Sequence, residues 1–200
     1  MFIQSIDEAI SKWMLTIHDN SFINQFFKFF SLLGEGGIIW IISLLIILIV
    51  VIIKKRKAPV VLLFGALFLL LGWLFNDYCL KLIVQRTRPY HNVEAFGDAF
   101  KVFMDSINYK YPSSYSFPSG HAFSSFNAAT TITLYKKKLG FIAYPVAFII
   151  AFSRIFVGAH YFSDVLVGAL LGVVFSLCGY IIGNKVLNSK KVSESNYATR

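Results

Sequence analysis

Five apolar stretches, residues 37–53, 59–75, 121–135, 141–157 and 165–182, contain a single Lys, Arg, Asp or Glu among them, Arg154. At ~1.5 Å per residue each can cross a hydrocarbon core ~30 Å thick, the shorter ones only with their flanking residues. In that medium a segment must satisfy its own backbone polar groups, which favours helices. The spacing predicts an all-α, polytopic transmembrane helical bundle of five spans.

The N-terminal residues 1–33 read differently. Residues 3–17 are amphipathic, with Asp7 and Glu8 early, and do not form a basic-then-apolar secretory signal. Residues 21–33 (SFINQFFKFFSLL) are aromatic but short and are followed by GEGG. Both are expected as amphipathic interfacial helices, with a sixth span if 21–33 crosses. The chain then forms one membrane-embedded domain over residues 1–188: an interfacial segment 1–33 and a transmembrane core 34–188. Residues 189–200 form a polar tail without packed structure.

Of the 200 residues, 56% are hydrophobic and 14% charged, which excludes a soluble domain of ordinary surface. A net charge of +9 suggests nucleic acid in a soluble protein. Here the charge falls in short runs between spans: Lys54, Lys55, Arg56 and Lys57; then Lys136, Lys137 and Lys138; then Lys185, Lys190, Lys191 and Arg200. They occupy alternate connections, so the positive-inside rule places them and the C-terminus in the cytoplasm, and no nucleic-acid partner is expected. The connection 82–120 and the turn near His160 then face outward. Cys79 and Cys178, both in apolar surroundings, indicate neither a disulfide framework nor a zinc site.

Residues 121–135 are unusually polar for a lipid-facing helix, with Ser124, Ser125, Asn127, Thr130, Thr131 and Thr133. Such a helix belongs at the centre, bonded to its neighbours. Gly168, Gly172, Gly179 and Gly183 in the last span suit close helix packing.

Three polar clusters carry the chemistry: KLIVQRTRP at residues 81–89, PSGH at 118–121 and SRIFVGAHYFSD at 153–164. Ionisable groups bordering a bilayer mark function. His160 and Asp164 are four residues apart, on one face of a helix expected to begin near Ala159. There the carboxylate can take a hydrogen bond from one ring nitrogen and leave the other nucleophilic. An N-cap by Ser163 or Asp164 beside an incidental histidine is the plainer alternative. Lys81, Arg88 and Arg154, each a common interfacial anchor alone, together suit a multiply charged anion. Arg86 fits the anchor role. Ser119 and Gly120 open a helix N-terminus where an oxyanion can meet backbone N–H groups, with His121 beside it as a general acid.

These clusters closely resemble the three signature motifs of the type 2 phosphatidic acid phosphatase superfamily, the lipid phosphate phosphatases. The pattern is Lys, six residues, Arg-Pro; Pro-Ser-Gly-His; and Ser-Arg, five residues, His, three residues, Asp. Every defining position is filled, in order. The resemblance implies that His160 attacks phosphorus to form a phosphohistidine, that Asp164 orients it, and that His121 protonates the leaving oxygen. It also implies that Lys81, Arg88, Ser119, Gly120 and Arg154 hold the phosphate oxygens, with no metal or other cofactor. Larger members have six spans, and the five-span layout is similar to short bacterial diphosphatases of the family.

The expected function is hydrolysis of a lipid phosphate or diphosphate at the outer face of the plasma membrane, with undecaprenyl (polyprenyl) diphosphate of cell-wall synthesis favoured. Phosphatidylglycerophosphate or phosphatidate is the alternative substrate, and a lipid phosphotransferase the alternative enzyme. The haloperoxidases of the superfamily are soluble, unlike this chain. An anion transporter or channel would place charges through the membrane depth rather than at one end. Aromatic residues of the 82–120 connection, Tyr109, Tyr111, Tyr115 and Phe117, are candidates to line an acyl or prenyl path. The sequence leaves the oligomeric state open.

Overall fold

The computed structural model describes residues 2–54 and 59–198, with side chains for 2–54 and 60–189, and these are helical with no strand. Two N-terminal helices, α1 (Phe2–Leu15) and α2 (Ser21–Leu33), precede α3 (Ile38–Ile53) and α4 (Pro59–Phe75). A π-helical turn (Asn76–Leu80) leads into the short α5 (Lys81–Val84), followed by α6 (Val93–Phe96) and α7 (Ala99–Ser106) in the long connection. The chain closes with α8 (Gly120–Tyr135), α9 (Lys137–Phe156) and α10 (Phe162–Ala198).

Four helical stretches are long and apolar enough to cross a membrane: Glu35–Ile53, Val60–Phe96, Lys137–Phe156 and Phe162–Ser189. The expected fifth span, α8, forms but has only 16 residues, about 24 Å of rise, and lies outside that set. Its role is internal instead. Packed against α4, α9 and α10, it buries ten residues, among them Ser124, Ser125, Asn127, Thr130 and Thr131. Trp40 Nε1 donates to Ser125 Oγ (2.9 Å), Thr131 pairs with Ser176 (2.8 Å) and Thr130 with Tyr144 (2.9 Å). Each bond ties α8 to a different neighbour, which is why this sequence tolerates hydroxyls at the centre of an apolar bundle. Asn127 is the exception, with both side-chain polar atoms unpartnered.

The glycines of α10 face two helices in turn. A methyl group on Gly168 would meet the Ser119 carbonyl, and one on Gly172 the Phe123 carbonyl, both in the first turns of α8. Gly179 and Gly183 lie against Phe64 of α4. The upper pair therefore fixes the α8 N-terminus beside that of α10, and this juxtaposition sets the site.

α1 and α2 form where amphipathic helices were expected. Asn20 caps α2 by accepting from Ile23 N (3.1 Å), and Gly36 and Gly37, at φ +61° and +66°, supply the left-handed turn into α3. Yet α2 is packed into the bundle, its Phe27 ring 4.5 Å from Phe156 and 5.2 Å from Phe152 of α9. α10 continues helical to Ala198 through residues expected as an unstructured tail. Once nucleated, a helix extends through Lys, Ser and Glu at little cost. Of the basic runs, residues 55–57 and Arg200 fall outside the described positions.

Candidate active site

Four chain segments meet at one end of the bundle: the α5–α6 connection, the start of α8, the end of α9 and the loop before α10. Arg154, on the last turns of α9, is 3% exposed, and its carbonyl accepts from His160 N (3.1 Å). The turn through Gly158 (φ +70°), where a methyl group would strike the Phe100 ring, brings the chain back so that His160 precedes α10. His160 therefore lies in a loop, not on the helical face expected from its spacing to Asp164.

Its two ring nitrogens have different surroundings. Arg88 Nη1 lies 3.2 Å from Nε2, and because a guanidinium only donates, Nε2 presents its lone pair. Nδ1 then carries the proton. It faces Asp164 Oδ2 at 3.7 Å, an ion-pair separation but too long for the hydrogen bond expected there, and it has no hydrogen-bond partner. The carboxylate is committed elsewhere. Oδ2 accepts from Tyr161 N (2.9 Å) and from Ser116 Oγ, and Oδ1 from Arg86 Nη1 (2.6 Å). Asp164 is thus the N3 acid that reaches back to the N-cap of α10, and the same carboxylate stands at ion-pair distance from the His160 ring.

The remaining expected residues converge on the same end. Ser119, fully buried, caps α8 by accepting from Ala122 N (3.4 Å), while its own N–H donates to the Asp164 carbonyl (3.0 Å). Gly120 is the first residue of α8, and a methyl group there would approach Asp77 Oδ1 to 3.8 Å. His121 Nε2 is 3.2 Å from the Ser31 carbonyl, so this nitrogen donates and Nδ1 is left open. Arg88 donates to the carbonyls of Ser114 (2.6 Å), Tyr115 (3.1 Å) and Ala159 (2.7 Å). Lys81 Nζ reaches Ser114 Oγ at 3.4 Å.

Burial first, then the positive charges of Arg88, Arg154 and Lys81, push the His160 pKa well below its ordinary 6.5. All three cations therefore act on one ring. Among the described residues neither Arg88 nor Arg154 has a carboxylate within 4.0 Å, although both are 3% exposed. Burying cations without counter-charges is costly unless an anion is to fill the place.

Several participants escaped the sequence reading. Asp77, four residues before Lys81, pairs with it at 2.6 Å, which adds a second carboxylate beside Asp164. That spacing was visible, but both residues sit at the end of an apolar span where a pair reads as an interfacial anchor. Arg86 is not an anchor: it bridges Asp164 and Asp7 of α1, at 2.6 Å each. Tyr109 is buried rather than lining a path, and together with Ser31 of α2 it accepts from Arg154 Nη1. Tyr111, by contrast, is exposed and donates to Asp105 (2.7 Å). Asp7 and Ser31 lie far from the signature motifs in sequence, and no local pattern marks them.

A family model described as the PAP2 superfamily matches residues 59–187, a stretch that contains all three polar clusters. No curated protein matches. Among solved structures, the chain is similar to the first transmembrane PAP2-type phosphatidylglycerolphosphate phosphatase from Bacillus subtilis. The identity is 25% and the TM-score 0.69, over 92% of this chain and 87% of that one. It is also similar to Aquifex aeolicus LpxE, at 26% identity and TM-score 0.59, over 86% and 92% of the two chains.

Proposed function

The chain belongs to the PAP2 superfamily and has the fold of its membrane phosphatases, and on that premise we propose that it removes the terminal phosphate of a lipid through a phosphohistidine at His160. The observation that carries this reading is the pair of buried guanidiniums, Arg88 and Arg154, with no carboxylate within 4.0 Å among the described residues, beside a histidine whose Nε2 lone pair faces Arg88. Such an arrangement suits an anion.

The phosphate oxygens take the Arg88, Arg154 and Lys81 charges and, where α8 opens, the Ser119 hydroxyl and the Gly120 N–H. Nε2 of His160 attacks phosphorus as the bond to the leaving oxygen breaks, and His121, entering the step protonated at both ring nitrogens, gives that oxygen its Nδ1 proton and becomes neutral. Asp164, facing Nδ1–H, steadies the ring as it becomes cationic. Water, deprotonated by His121, then attacks the phosphohistidine, releasing inorganic phosphate and restoring His160. The charge pattern supports a metal-independent reaction, because Lys81, Arg88 and Arg154 stand where a two-metal site would set carboxylates. Substrate phosphate displaces the Asp77 carboxylate from Lys81.

The favoured substrate is a polyprenyl diphosphate such as the undecaprenyl carrier. Lys54 and Lys136–Lys138 lie at helix ends opposite the site, and Lys185 lies in α10 more than twenty residues beyond its site-facing start, which supports a cytoplasmic C-terminus and an extracytoplasmic site in the plasma membrane. Lipid diphosphate is released on that side during wall polymerisation. Phosphatidylglycerophosphate is the second reading, favoured by the likeness to the Bacillus subtilis enzyme over 92% of this chain. Phosphate release by the purified protein from undecaprenyl diphosphate, phosphatidylglycerophosphate and phosphatidate, in matched detergent, decides by kcat/KM. Absence of release from all three defeats the phosphatase reading.

A further inference from the structure

Asp7 is a fully buried carboxylate on an N-terminal helix whose composition suits a membrane surface. Its burial has a specific partner set. Oδ1 accepts from Ser163 N (2.8 Å), and Oδ2 from Ser163 Oγ (2.6 Å) and Arg86 Nη2 (2.6 Å). Arg86 Nη1 then donates to Asp164 Oδ1 (2.6 Å) and to Ser163 Oγ (2.7 Å), with the guanidinium 4.1 Å above the Tyr161 ring. One cation is thus shared between two buried carboxylates, one from α1 and one beside His160.

The charge count gives this bridge a consequence. Attack by Nε2 leaves a phosphorylated ring that still carries the Nδ1 proton and so becomes positive, amid the cations of Arg88, Arg154 and Lys81 and beside His121 of α8. Asp164 is the carboxylate that faces it, at 3.7 Å. Were Arg86 paired with Asp164 alone, that charge would be neutralised. With Asp7 on the other nitrogen, the cluster keeps one net negative charge, and Asp164 is held where the ring needs it.

We propose that Asp7 is a positioning residue for phosphoryl transfer, so that the N-terminal helix completes the active site through Arg86 rather than serving only to anchor the chain. The proposal rests on the phosphohistidine reading given above. It deepens that reading by making α1 part of the catalytic unit.

The test uses the purified full chain with the substrate it turns over best. Asp7→Asn is expected to lower kcat about tenfold with KM held within about threefold, because phosphate-binding groups are untouched. The acid limb of kcat/KM should move to lower pH, since less negative charge near His160 further disfavours its protonated form. Asp7→Glu should recover most of the rate, and Glu8→Gln, whose carboxylate accepts from the exposed Gln4 Nε2 (3.0 Å), should match the parent. A structural role alone predicts a lower melting temperature with kcat and the pH profile of the folded protein unchanged, and that result overturns the proposal. If Asp7→Asn does not fold, Arg86→Lys carries the same test, because an ammonium cannot span both carboxylates: reduced kcat at similar KM supports the bridge and unchanged kcat sinks it. An active parent with an unaffected Asp7→Asn defeats this inference alone, whereas a parent that releases no phosphate defeats the phosphatase reading.

Discussion

Arg88 donates through Nη1 to both the Ala159 carbonyl (2.7 Å) and Nε2 of the adjacent His160 (3.2 Å), so the same guanidinium that would receive a phosphate oxygen also fixes which ring nitrogen keeps its lone pair. Arg88→Lys keeps the charge but loses the planar fork that satisfies three backbone carbonyls. It is expected to lower kcat/KM by about 10²-fold or more, well beyond a pure charge effect. Near-parental kcat/KM in this variant would remove the tautomer argument.

His160→Ala should abolish turnover and the acid-labile phosphoenzyme together. His121→Ala should slow the reaction by roughly 10²–10⁴-fold, the range of general acid–base help. Rapid quench with substrate labelled in the terminal phosphate distinguishes them: no label on the first variant, retained label on the second. Label persisting in His160→Ala would place the nucleophile elsewhere.

The pH dependence follows from the same ring. Its folded pKa lies well below 6.5 through burial and the surrounding cations, and the neutral form attacks. An unperturbed imidazole would halve kcat/KM at pH 6.5, whereas here the neutral-pH plateau should extend below that value. A half-maximal rate at 6.5 or above, with a substrate whose own ionisation is separately accounted for, contradicts the assigned environment.

Activity should survive EDTA and be inhibited by vanadate, whose trigonal-bipyramidal adduct resembles the transferring phosphoryl group. Chelator-sensitive phosphate release, restored by magnesium or zinc, would show that Lys81, Arg88 and Arg154 do not suffice to balance the phosphate.

The sequence made legible whatever periodicity or a compact motif encodes. The long apolar runs announced four spans, the hydroxyls of residues 121–135 announced a central helix, and the three clusters announced residues that the fold gathers at one end of the bundle. What stayed hidden was how the N-terminal helices meet the clusters. Asp7 meets Arg86 across 79 positions and Ser31 meets Arg154 across 123, and no local pattern encodes either pairing. The local geometry of His160 was misjudged for a related reason. Spacing of i and i+4 implies one helical face only if the helix already runs through both residues, and here α10 starts at Phe162.

Gly168 tests whether packing sets the chemistry. A methyl group at this position would fall within overlap distance of the Ser119 carbonyl, a backbone atom that cannot swing aside as a side-chain tip can. Gly168→Ala must therefore push the start of α8 away from α10, weakening the bond from Ser119 N to the Asp164 carbonyl (3.0 Å) and shifting Ser119, Gly120 and His121 together. Overpacking of this kind costs about 1–3 kcal/mol of stability. A displacement of several tenths of an ångström at the phosphate-binding turn is expected to cost about tenfold or more in kcat/KM. Gly183→Ala on the same helix, where a methyl group would meet only the Phe64 side chain, is the matched control and should leave kcat/KM within about twofold. Equal activity losses in the two variants would mean that the α8–α10 contact contributes stability without positioning the site.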